Sequence, residues 1–115
     1  MDSPAELFDR HRDALGRLCR AHGVIRLDVF GSAAGDAFDP VRSDIDLLVE
    51  FGPQAAPDLF SHYFELKDAL QRLFGRDVDL VMAGAVRNPV FARSVERSRR
   101  PLYASSNAQA ARRHP

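Results

Sequence analysis

Between Ile45 and Met82 the chain reads strand, helix, strand, and that order limits the fold more than any other feature. "IDLLVEF" (Ile45 to Phe51) is an almost continuous apolar run with Asp44 at its entrance. "DLFSHYFELKDALQRLF" carries Leu59, Phe60, Tyr63, Leu66, Leu70 and Phe74 along one stripe at helical spacing. Asp58 suits the N-terminal dipole of that helix, and Gly75 suits its end. "RDVDLVM" is a further short strand. A helical crossover makes the two strands it joins parallel, so both begin at the same end of the sheet.

The upstream sequence adds an antiparallel partner. "VIRLDVF" (Val24 to Phe30) reads as a strand, and the loop from Gly31 to Ser43 returns the chain to the start of the Ile45 strand. Before it, "SPAELFDRHRDALGRLCRAHG" opens with Ser3 as N-cap, Pro4 at the first helical position and Glu6 closing a capping box. One helix is expected there, ended by Gly23. "GPQAAP" reads as a turn and linker. "NPVFARSVERSRR" reads as a helix capped by Asn88, and "PLYA" as an edge strand. The fold class is therefore α/β (α+β): a small mixed sheet flanked by helices, in the order αββαβα(β). Residues 1–104 are expected to form one domain, and residues 105–115 a disordered C-terminal tail.

Composition narrows the partners. With 115 residues, the chain has room for one core and little for a separate substrate domain. Sixteen basic and sixteen acidic residues cancel, so bulk charge points away from nucleic acid. No run approaches the ~18 apolar residues of a membrane span, the N-terminus lacks an apolar signal core, and Cys19 stands alone. A cytoplasmic location is the expectation, and homo-oligomerisation is left open.

The chemistry gathers at one end of the expected sheet. Side chains alternate along a strand, so Asp44 and Asp46 share a face. Two close carboxylates repel and are costly to desolvate. A hard cation such as Mg²⁺ removes both objections and keeps open positions for water and phosphate oxygens. Gly31-Ser32 follows the first strand at the same sheet end, where a backbone without a Cβ and a serine hydroxyl suit a phosphate. The crossover brings Asp79 to that end as well, deep in an apolar run where an acid is unexpected. Taken singly, each motif also fits a bland reading, as loop-end acids or a strand-ending turn. Together they suit metal-assisted phosphoryl or nucleotidyl transfer, with a pair of metals clamping the attacking and leaving oxygens.

"FGSAAGDAFDPVRSDIDLLVEF" with "DVDLV" resembles the minimal nucleotidyltransferases (MNT domain proteins) of the DNA polymerase beta superfamily. Their signature is a Gly-Ser, a spacer, an Asp-x-Asp and a later strand acid. The resemblance runs from about the first helix to Tyr103. It implies a polymerase-beta-like fold and an Mg²⁺-dependent transferase, with two metals, that uses ATP. By the same likeness Asp44, Asp46 and Asp79 are the catalytic, metal-holding residues, and Gly31 and Ser32 bind the nucleotide. Family members of the MntA type act as antitoxins beside a HEPN-domain toxin and transfer AMP to a tyrosine of that partner. This chain departs from many relatives in lacking an arginine within "GSAAGD"; Arg42, later in the loop, is the substitute phosphate contact. The alternatives are an antitoxin with little or no activity that neutralises by binding, and a stand-alone transferase acting on a small molecule or RNA.

Other residues read as structural. His11 and His22 stand about 16 Å apart on a continuous helix, and His62 and His114 show no ligand-like companions. Tyr63 and Phe64 read as packing, and Tyr103 as a packed edge residue. Arg93, Arg97, Arg99 and Arg100 read as a solvated basic helix end.

Overall fold

The computed structural model describes residues 4–31 and 44–105. Four strands form one mixed sheet in the order β3-β2-β1-β4, with β1 Val24–Phe30, β2 Ile45–Phe51, β3 Val78–Met82 and β4 Arg100–Ala104. β1 pairs antiparallel with both β2 and β4, while β2 and β3 are parallel. The crossover between β2 and β3 runs through α3 (Leu59–Phe74). This is the mixed α/β arrangement expected from the strand-helix-strand order.

Helices cover the two sheet faces unequally. α1 (Pro4–Arg10), α2 (Arg12–Ala21) and α3 pack on one face. There Leu7, Phe8, Leu15 and Cys19 meet Leu66, Leu70 and Phe74 over the inward residues of β1, β2 and β3. The opposite face carries a smaller cluster in which Phe30 and Leu48 meet Val95 of α4 (Pro89–Ser98). α4 begins as its sequence predicts: the Asn88 carboxamide oxygen accepts from the backbone N–H groups of Val90 (2.9 Å) and Phe91 (3.3 Å).

Three local differences from the sequence reading have physical reasons. The N-terminal helix is two segments divided at His11, whose N–H donates to Phe8 O at 3.2 Å. That i→i−3 bond tightens the turn and eclipses residues three apart. Phe8 and His11 thereby both place ring edges against Phe74, with centroids at 5.5 and 5.7 Å. "PQAAPD" (Pro53–Asp58) is a 3-10 helix rather than an open turn. It is held where Gly52 N–H donates to Gly23 O at 2.8 Å, and it buries Ala55. Phe60 points outward at 74% exposure, since the helix stripe is narrower than the run of apolar residues.

Candidate active site

The register of β2 sets the site. Asp46 is the lateral partner of Phe30 on β1 and of Asp79 on β3, so the Asp46 and Asp79 side chains leave the same face on neighbouring strands. Leu47 and Val49 of β2 point the other way, into the larger core. The two aspartates therefore stand on a rigid mount at the strand entrances, level with Phe30 at the rim of the cluster it forms with Leu48 and Val95. Asp44 lies exposed immediately before β2, and the Ile45 N–H donates to Asp77 O at 3.1 Å, tying the mouths of β2 and β3 together. Asp79 is exposed despite its apolar neighbours because α4 does not reach that part of the sheet. Val78 and Leu80 serve the core from the other face.

The electrostatics mark Asp46. Burial, then the charge of Asp79, then that of Asp44 push its pKa above the usual carboxylate range. An acid held in that way is relieved by a cation, and the donors present are all carboxylate oxygens, the ligand type that Mg²⁺ takes. Among the described residues the trio is looser than a closed metal cluster, since the three ligand atoms do not all lie within 4.8 Å of one another.

Gly31 supplies the closest approach. Its φ is +70°, and a Cβ built there would lie 2.6 Å from Asp46 Oδ2. Only glycine allows the chain to leave β1 beside that carboxylate. The Gly31 N–H donates to Ser98 Oγ at 3.0 Å, and the Ser98 hydroxyl in turn donates to Ser94 O at 3.2 Å. A phosphate using the Gly31 donor must displace that hydroxyl. Ser32 and Arg42 lie outside the described residues.

Two residues behind the site escaped the sequence reading. Asp28 on β1 is 1% exposed, and its Oδ2 accepts from Arg99 Nε at 2.7 Å with Arg26 3.3 Å away. Asp28 Oδ1 has no hydrogen-bond partner among the described residues. Arg99, expected in a solvated basic run, is 19% exposed and locks the end of α4 onto β1. Only the acid at the centre of an apolar strand run hinted at this pair, because its partner lies 71 residues further on. A groove at the far ends of β2 and β3, lined by Phe51, Pro53, Leu59 and Met82, lies well away from the carboxylates.

Acidic side chains on adjacent parallel strands, beside a glycine that turns away from the sheet, make this a minimal nucleotidyltransferase by fold. Comparison with known proteins agrees. The family model for the nucleotidyltransferase domain matches residues 11–102. A Methanocaldococcus jannaschii protein named "Putative protein adenylyltransferase MJ0128" is 38% identical over 96 residues, covering 84% of this chain and 94% of its own. A solved "putative minimal nucleotidyltransferase" superposes with TM-score 0.68 at 36% identity, over 88% of this chain and 96% of that one. The fold is also shared with a chain of the tri-AMPylated Shewanella oneidensis HEPN toxin in complex with MNT antitoxin. That match has TM-score 0.57 and 19% identity, and covers 90% and 78% of the two chains. The chain belongs to the nucleotidyltransferase-domain family and is a nucleotidyltransferase.

Proposed function

We propose that this chain transfers AMP from ATP, with Mg²⁺, to a tyrosine hydroxyl of a HEPN-domain toxin, and so acts as its antitoxin. The observation that carries this reading is the lateral pairing of Asp46 with Asp79, with Gly31 packed against the Asp46 carboxylate. Asp44, Asp46 and Asp79 would hold the divalent cations, which supply charge neutralisation at the triphosphate and activate the acceptor oxygen. The acceptor hydroxyl attacks the α-phosphorus in line, the bond to the bridging oxygen breaks, and pyrophosphate leaves. Asp79 would receive the hydroxyl proton, a reading supported by its position beside Asp46 on the neighbouring strand. Gly31 and Ser32 orient the triphosphate by backbone and hydroxyl donors, with Arg42 as a further phosphate contact. The relatives named as protein adenylyltransferases support a protein acceptor, and the fold shared with an MNT antitoxin supports the partner class.

The test is incubation with a purified HEPN partner and ATP labelled at the α- or the γ-phosphate. Label from the α position alone, lost when the acceptor tyrosine of the partner becomes phenylalanine, is the expected result. Neutralisation of the toxin with no label transferred would replace this reading with inhibition by binding.

A further inference from the structure

A second group of ligand-type side chains lies at the opposite end of the sheet from the carboxylates. His22 ends α2, and Gly23 at φ +70° then turns the chain into β1. His62 and Glu65 lie in the first turns of α3, three residues apart and so on one helix face. His22 Nδ1 lies 3.1 Å from His62 Nδ1, and one ligand atom from each of His22, His62 and Glu65 falls within 4.8 Å of the other two. His62, read from sequence as lacking companions, thus has two. The seven residues of β1 put this group about 20 Å from Asp46.

We propose that His22, His62 and Glu65 form a binding site for one borderline divalent cation, Zn²⁺ by ligand type, with water completing the coordination. Two imidazole nitrogens 2.0–2.1 Å from one tetrahedral ion stand about 3.3 Å apart, close to the separation present. Two nitrogens and one carboxylate oxygen suit Zn²⁺ and its neighbours rather than Mg²⁺ or Ca²⁺. Both histidines are half-buried while Glu65 is exposed, which leaves the remaining position open to solvent. Burial and the neighbouring His62 lower the pKa of His22, against the opposing charge of Glu65. The ion would join the end of α2 to the start of α3 across 40 residues of sequence. Without it, the short Nδ1 contact is an ordinary N–H···N hydrogen bond.

The site is tested on the full chain, stripped with a chelator and titrated with Zn²⁺ against a chromophoric competitor and with Co²⁺ by visible absorption. Wild type is expected to bind one equivalent at this site. At a free Zn²⁺ concentration a hundredfold above the dissociation constant, its melting temperature should rise by about 10 °C. His22→Gln and His62→Gln should each weaken Zn²⁺ binding at least a hundredfold, and Glu65→Gln about tenfold. Asp46→Asn should leave that affinity unchanged, which separates the site from the carboxylates. Circular dichroism establishes that each variant is folded. Wild-type affinity in a folded His22→Gln, His62→Gln double variant overturns the proposal. So does loss of the ion in Asp46→Asn alone, or a folded wild type that binds none.

Discussion

Replacing Gly31 by alanine separates the mechanical cost of the site from its chemical value. The residue has φ +70°, where a side chain costs roughly 1–2 kcal/mol. The new Cβ would meet Asp46 Oδ2 at 2.6 Å, whereas real Cβ contacts essentially never fall under 3.0 Å. The oxygen must therefore retreat by about 0.4 Å, and by about 0.8 Å to reach ordinary contact at 3.4 Å. Because it is the tip of a side chain, that retreat costs little stability. It does move the carboxylate proposed to hold the metal. Urea unfolding should show a loss of about 1–2 kcal/mol, or roughly 5–10 °C in melting temperature. AMP transfer, measured with the folded variant at saturating ATP, should fall about 100-fold, the scale of an ångström-sized misplacement. A variant that loses the expected stability yet transfers AMP at the wild-type rate would refute the link between the glycine contact and catalysis.

Further outcomes follow from the same structure. Arg99→Ala removes the main partner of buried Asp28 and should cost about 2–4 kcal/mol in urea unfolding, at the lower side for a buried pair because Arg26 remains nearby. Asp46→Asn should raise the melting temperature at pH 7. Asp46 has a folded pKa above its unfolded value, so its ionisation opposes folding as pH rises through the folded pKa, and the gain from asparagine should vanish at a pH below the unfolded pKa. Burial pushes the Cys19 thiol up to about 12, so a thiol reagent should label the native protein only as fast as it opens.

What the sequence made legible was local or set by topology. β1 and β2 fall on the residues their apolar runs predict, and Asn88 caps α4. The helical crossover fixes β3 parallel to β2, which brings Asp79 beside Asp46 without any knowledge of side-chain contacts. Contacts between residues distant in sequence were not legible. Arg99 looked like one more exposed cation because Asp28 is reached only when α4 folds back over β1. Ser98 meets Gly31, and His22 meets His62, by the same kind of long-range closure. The break at His11 comes with a ring contact to Phe74, far along the chain, which the helix periodicity around it cannot register. Phe60 shows the converse error, an apolar residue counted into the helix stripe that lies outside its narrower buried part.

In the proposed reaction, the carboxylates at the mouths of β2 and β3 carry the transfer of AMP. Its most direct measurement is the single-turnover rate of α-labelled ATP consumption with the HEPN partner, comparing wild type with folded Asp44→Asn, Asp46→Asn and Asp79→Asn. Loss of transfer in each of the three is the predicted result. Transfer at the wild-type rate by Asp46→Asn, the residue that faces both Gly31 and Asp79, would contradict it.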